Sequence, residues 1–359
     1  MGWPLRPGRV IRRVAHVIEE DDPNGDWTRP GVFRCAEDVY RIPLPLPQDG
    51  LRAVNVYAVR HGERLTLIDA GWSIPEARDL LGKALAELDA GFGDVERFLV
   101  THVHRDHYTQ AVVLRREFGT RVALGRGEQP GLDIVNDPAR PAATLQRARL
   151  DRSGAQELLA RLEELGPPSG NENEWENPDD WIEDGAALAV GDRTLTAVAT
   201  PGHTRGHVVF ADDAAGLLFA GDHVLPRITP SIALEPLPPA NPLADYLTSL
   251  QLMHARPDAA LLPAHGPIGM RVHERVDELL AHHATRLDDT LAAVAAGRGT
   301  AYGVAQALTW TRREKSFADL DPFNAMLATL ETLSHLDVLA ARGLVARSED
   351  AGTAYYVPS

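Results

Sequence analysis

Seven consecutive residues, Thr101-His102-Val103-His104-Arg105-Asp106-His107, crowd three imidazoles and a carboxylate directly behind the apolar run Phe98-Leu99-Val100. Neutral imidazole and carboxylate are ligands suited to zinc, with manganese or iron also acceptable. His102 and His104, two apart in extended chain, point to the same side. Asp106 and His107 are then expected in a turn that brings them round to a second ion. Ordinary surface or core histidines do not explain four donors of these types in six positions at the end of a strand. Such a chain must fold so that this strand end faces further donors.

Later strand ends supply them. His203 follows a Pro-Gly turn in Thr200-Pro201-Gly202-His203-Thr204-Arg205-Gly206-His207, and Gly221-Asp222-His223 follows the apolar Leu217–Ala220. Pro263-Ala264-His265-Gly266 follows Ala259–Leu262. Each step alone is weak, since Gly-His and Gly-Asp occur in many turns. Together and in this order, each after an apolar strand, they are strong.

The periodicity around these points alternates between strand and helix. Strands are expected at Val39–Ile42, Ala53–Val59, Leu65–Ile68, Phe98–Val100 and Arg121–Leu124, with helices over Pro75–Leu88 and Gln110–Phe118. Strands resume at Ala187–Val190, Thr194–Ala199, Val208–Ala211 and Leu217–Ala220, followed by a helix near Leu243–Met253 and a strand at Ala259–Leu262. Two similar halves with sheets inside and helices outside make an α+β, four-layer αββα sandwich. Residues 1–35 read as an N-terminal extension and 36–270 as the catalytic domain. Within the latter, 130–184 is an insertion with a helix at Gln156–Leu165. Its Asn171–Asp184 stretch, with seven acidic residues in fourteen and no basic one, reads as a solvated loop or a lid. Residues 271–359 show helical periodicity over His273–Ala296, Ala301–Trp310 and Phe323–Ala341, then a hairpin through Ser348–Gly352. That pattern is winged-helix-like and mostly helical.

The ordered donor set resembles the metallo-β-lactamase superfamily, whose signature is HxHxDH followed by His, Asp and His. By that resemblance His102, His104 and His203 hold a first metal ion, Asp106, His107 and His265 a second, and Asp222 bridges them. The cofactors it implies are two divalent ions, zinc first, with manganese or iron as alternatives. Such a pair, about 3.5–4 Å apart, lowers the pKa of a bridging water toward 7 and polarises the bond to be cleaved, with the carboxylates of Asp106 and Asp222 as the catalytic acidic groups. Asp69 matches a family aspartate that supports the ligand shell, or else caps a turn. Tyr108 stands where relatives carry a small residue; it is read as an oxyanion donor or as core. His207 and His223 adjoin ligands and are assigned to structural support or to substrate contact. His16, His61, His254, His273, His282, His283 and His335 are read as ordinary.

The motifs and the C-terminal region look like the two-domain lactamase-like branch, which leaves the substrate open. The leading expectation is a dinuclear hydrolase of a small ester, thioester or lactone. The alternatives are a single-strand endoribonuclease or phosphodiesterase, a mono-iron oxygenase on the same fold, and a metal-stabilised sensor. A balance of 36 basic and 51 acidic residues, −15, disfavours nucleic acid, although Arg115-Arg116 or Arg312-Arg313 could form a local patch. The C-terminal region, nine basic against twelve acidic residues, does the same. The single Cys35 excludes an intrachain disulfide framework. No apolar run is long enough to span a membrane, and the first residues carry neither a secretory signal nor a myristoylation motif, so a cytoplasmic location is expected. Native β-lactam hydrolysis is disfavoured on the same ground. The partner expected is a small-molecule substrate, with a homo-oligomer left open.

Overall fold

The computed structural model describes residues 18–22, 24–47, 50–137, 142–165, 175–232, 234–235, 237–311 and 314–359. Two sheets face each other. The larger contains, in spatial and chain order, β1 (Glu19–Glu20), β2 (Phe33–Ala36), β3 (Val39–Pro45), β4 (Ala53–His61), β5 (Arg64–Ile68), β6 (Val95–Val100), β7 (Arg121–Gly125) and β8 (Asp180–Ile182). The smaller is ordered β13 (Ala260–Pro263), β12 (Leu217–Gly221), β11 (Val208–Asp212), β10 (Arg193–Ala199) and β9 (Ala187–Val190). β5 to β8 run parallel, as do β12 and β13; the remaining neighbours within the smaller sheet are antiparallel. Helices α1 (Pro75–Glu87), between β5 and β6, and α2 (Arg105–Phe118), between β6 and β7, cover the outer face of the larger sheet. Helix α6 (Pro242–Ala255) links β12 to β13 and packs outside the smaller one.

The layers follow from side-chain alternation. On β4, Val54, Val56 and Ala58 face the helices while Tyr57 and Val59 face the second sheet. On β12, Leu218 and Ala220 face α6, and Leu217 and Phe219 point inward. Tyr57 and Phe219 meet edge-on across the sandwich, with ring centroids 5.5 Å apart. Both faces of these strands are covered, so they read as nearly continuous apolar runs. The αββα expectation therefore holds.

The end of the N-terminal extension packs on the core: Trp27, Val32 and Phe33 are buried, and β1 and β2 form the edge of the larger sheet. Residues 1–17 lie outside the described residues. Helix α2 begins at Arg105, not Gln110, so Asp106 and His107 occupy its first turn rather than a free loop. Polar ligand residues conceal the apolar period there, and a carboxylate is favoured at a helix N-terminus. The acidic stretch contributes β8, whose Ile182 is buried beside β7, and Trp175 and Trp181 pack at the core margin. The part of that stretch at 171–174 lies outside the described residues.

Elsewhere the described residues of the insertion include the helices α3 (Gln129–Val135), α4 (Ala142–Arg152) and α5 (Gln156–Leu165). The C-terminal region contains α7 (Val272–Ala295), α8 (Ala301–Ala307) and a two-residue pair, β14 (Thr309–Trp310) with β15 (Lys315–Ser316). Helix α9 (Pro322–Ala341) and the hairpin β16 (Val345–Asp350) and β17 (Thr353–Pro358) follow. The helix expected to reach Trp310 stops at Ala307, and Trp310 lies in a strand. Leu150, Ala155, Leu158 and Leu159 of the insertion share one apolar cluster with Trp310, Phe317, Leu320, Ala325 and Met326. No helix among the described residues is long and apolar enough to cross a membrane.

Candidate metal centre

Every donor singled out above sits just past the C-terminal end of a strand, on one rim of the sandwich. Asp69 follows β5, residues 101–107 follow β6, His203 follows β10, Asp222 follows β12 and His265 follows β13. Gly221 makes the turn into Asp222 with φ of +50°, and a Cβ there would lie 2.7 Å from Nε2 of His207 and from Cβ of Thr101. Only glycine lets β12 end against these groups.

Two clusters form. His102, His104, His203 and Asp222 present ligand atoms within 4.8 Å of one another, and so do Asp106, His107 and His265. In the first, Nε2 of His203 lies 3.3 Å from Nε2 of His102, 3.0 Å from Nδ1 of His104 and 3.4 Å from Oδ2 of Asp222. In the second, Nε2 of His265 is 3.4 Å from Oδ2 of Asp106, and Nε2 of His107 is 3.5 Å from it. Oδ1 of Asp222 reaches this cluster too, 3.3 Å from His265 and 3.6 Å from His107. Thus Asp222 turns one oxygen to each cluster. Donors about 2.0–2.1 Å from a tetrahedral ion lie about 3.3 Å from each other, close to these separations. Nε2 of His107 and His265 and Oδ1 of Asp222 are buried without hydrogen-bond partners. Buried polar atoms left in that state are costly, and a cation between them removes the cost. The donor set and its spacing fit a pair of divalent ions.

Surrounding groups fix the rings through their far nitrogens. Nδ1–H of His107 donates to Asp69 (2.8 Å), that of His203 to the Ser231 carbonyl (2.7 Å) and that of His265 to the Ala53 carbonyl (2.8 Å). Nδ1 of His102 pairs with Oγ1 of Thr101 at 3.0 Å. Asp69 also accepts from Thr101 N–H at 2.8 Å, so it ties β6 to His107 from a backbone with φ of +60°.

The charge pattern divides along the two clusters. Burial, with neighbouring imidazoles, holds His102 well below its usual value and takes His104 down to about 3. Burial alone would depress His107, but Asp106, Asp69 and Asp222 outweigh it and lift it to about 9. His265 is raised against burial in the same way, by Asp222 and Asp106. Burial would raise the carboxyls of Asp106 and Asp222, yet His107 and His265 hold both below the usual carboxylate range.

The other residues singled out lie outside the two clusters. His207 stacks on His102 with centroids 5.0 Å apart, pairs with Thr200 at 2.9 Å and accepts the Asp222 N–H at 3.2 Å. His223 packs edge-on to Tyr246 at 5.3 Å. Tyr108 is a buried residue of α2, and its hydroxyl donates to the Glu176 carbonyl, the core position that is one of its two readings. Arg115 and Arg116, read as a nucleic-acid patch, both pair with Glu176. Arg312-Arg313 lies outside the described residues. Reading by sequence missed Glu128, which is fully buried between the His102–His104 loop and the His203 loop. It also missed Asn55, whose amide donates to the carbonyls of Pro263 and Gly266 on either side of His265, at 2.9 Å each.

Residues 49–265 match the family described as the metallo-beta-lactamase superfamily. A probable metallo-hydrolase, YqjP, of Bacillus subtilis is 26% identical over 89% of this chain and 98% of its own length. An acyl-coenzyme A thioesterase, MBLAC2, of Gallus gallus is 28% identical over 71% of this chain and 84% of its own. Several other curated relatives are longer, and the chain spans about half to two thirds of their length. The crystal structure of a beta-lactamase domain protein from Burkholderia ambifaria superposes with a TM-score of 0.75 at 28% identity, covering 91% of this chain and 94% of that one.

Proposed function

Since the chain belongs to the metallo-beta-lactamase superfamily, we propose that it is a dinuclear metal-dependent hydrolase acting on a small ester or thioester. The observation that carries this reading is Asp222, with one carboxylate oxygen turned to each of two histidine-rich clusters. His102, His104 and His203 would hold the first ion and Asp106, His107 and His265 the second, with Asp222 common to both. Nitrogen and carboxylate donors of this kind favour zinc, with manganese or iron as alternatives. When bound, such a pair supplies an activated water and Lewis-acid polarisation of the scissile carbonyl.

The chain's own groups set the conditions for that chemistry. Buried, neutral His102, His104 and His203 can donate lone pairs without first losing a proton. Asp106 and Asp222 place two negative charges among the imidazoles, which leaves an ion pair net positive toward a developing oxyanion. Asp69 and the carbonyls of Ser231 and Ala53 hold rings in register, so little reorganisation accompanies binding. The thioester reading is supported by the similarity to an acyl-coenzyme A thioesterase. A ribonuclease is disfavoured because Arg115 and Arg116 are engaged with Glu176.

Elemental analysis of the purified chain, followed by a panel of thioesters, esters, lactones, phosphodiesters and short RNA, tests the reading. Two ions per chain and thioester or ester turnover, both lowered by His104→Ala, are expected. One iron per chain with oxygen uptake, or cleavage of RNA in place of esters, would overturn it.

A further inference from the structure

Glu128 closes the turn that follows β7, and its side chain has no exposed surface. Its Oε1 accepts two hydrogen bonds from separate loops. One comes at 3.3 Å from the Val103 N–H, between His102 and His104. The other comes from the hydroxyl of Thr204, the residue after His203. Those loops belong to different sheets, so a single oxygen bridges the two sides of the first cluster.

The backbone leaves Glu128 little room to be elsewhere. A Cβ on Gly206 would lie 2.1 Å from the Glu128 nitrogen, and one on Gly125 would lie 2.2 Å from the Gly206 carbonyl oxygen. The turn and the His203 loop thus touch main chain to main chain, an approach open only to glycine. Oε2 of Glu128 has no hydrogen-bond partner, and neither does Oε1 of Glu235, which is buried nearby. Burial pushes the Glu128 carboxyl up to about 7, and burial with Glu128 beside it pushes Glu235 up to about 9. Glutamine has nearly the shape of the glutamic acid side chain, and its carbonyl oxygen can accept the same two bonds.

We propose that Glu128 is a positioning residue that fixes the spacing of the His102–His104 loop against His203 and so sets the affinity of the first metal ion. The proposal rests on reading the two clusters as a metal centre. An ordinary packing role would predict a general loss of stability with no preference between the ions.

The test uses the full chain, stripped of metal and titrated with zinc against a chromophoric chelator. Glu128→Ala should weaken one of the two zinc ions about 10–100-fold and leave the other near its wild-type value. Added to His104→Ala, where the first cluster is already broken, it should change nothing further. Glu128→Gln should restore both ions. Thr204→Val, which removes one of the two bonds, should weaken the same ion while the stripped chain still folds cooperatively at a slightly lower midpoint; it decides the matter if Glu128→Ala does not fold. Wild-type affinities in Glu128→Ala, equal weakening of both ions, or a Gln variant as impaired as the Ala variant would overturn the proposal. A wild-type chain that binds no zinc would overturn the metal centre as well, so the two failures are distinguishable.

Discussion

The ion pair between Asp21 and Arg41 joins the N-terminal segment to the core, and its removal has a calculable cost. Both side chains are 3% exposed. The guanidinium is bidentate on the carboxylate, through Nε to Oδ2 and through Nη2 to Oδ1 at 2.9 Å. Its remaining nitrogen donates to the Trp27 carbonyl at 2.7 Å and to Oδ1 of Asn55 at 2.9 Å. Asp21→Ala therefore leaves a buried cation facing an empty space, and breaking a buried pair from one side costs about 3–5 kcal/mol. That is a large share of a total stability of about 5–15 kcal/mol. Urea denaturation of the stripped chain measures it. Asp21→Leu combined with Arg41→Met removes both charges and should recover most of the loss, since apolar replacement of a whole pair is often neutral. Arg41 also orients Asn55, which holds the carbonyls flanking His265, so Asp21→Ala should weaken zinc at the second cluster too. A loss below about 1 kcal/mol, the range of a solvated pair, would refute the reasoning.

Two further outcomes follow from buried groups. His335, 2% exposed and paired with His283 at 3.3 Å, is driven down to about 4 chiefly by burial, so the unfolded chain binds its proton first as pH falls below about 6.5. Stability from this group is then full above that pH and falls by about 2 kcal/mol at pH 5 on this account alone; the gap between urea midpoints at pH 7 and pH 5 should narrow in His335→Gln, and an unchanged gap would contradict it. Tyr108→Phe should leave turnover intact and cost about 1 kcal/mol of stability, the worth of its hydroxyl bond to Glu176; a large fall in kcat would restore an oxyanion role.

What the chain discloses of its site before folding depends on how local the chemistry is. His102, His104, Asp106 and His107 declare themselves because one strand end carries all four, and His203, Asp222 and His265 each follow an apolar run that ends in a turn. Glu128 gives no such signal. Arg126-Gly127-Glu128 looks like any polar turn, and its partners lie 25 and 76 positions away. Asp21 is equally silent among the acidic residues near the N-terminus. The start of α2 was hidden because ligand side chains occupy positions where a helix would show its apolar stripe, and β8 because one buried isoleucine sits among carboxylates. Positions whose role depends on a distant contact have no local pattern to betray them.

The apolar cluster shared by Leu150, Leu158 and Leu159 with Trp310, Phe317 and Met326 has a practical corollary. Cutting the polypeptide near residue 270 would not release a smaller working enzyme; it would strip the cover from leucines of α4 and α5 and leave a greasy scar on the remaining half. Anyone wishing to graft this catalytic scaffold elsewhere must carry its tail along, or repaint those leucines with polar residues first.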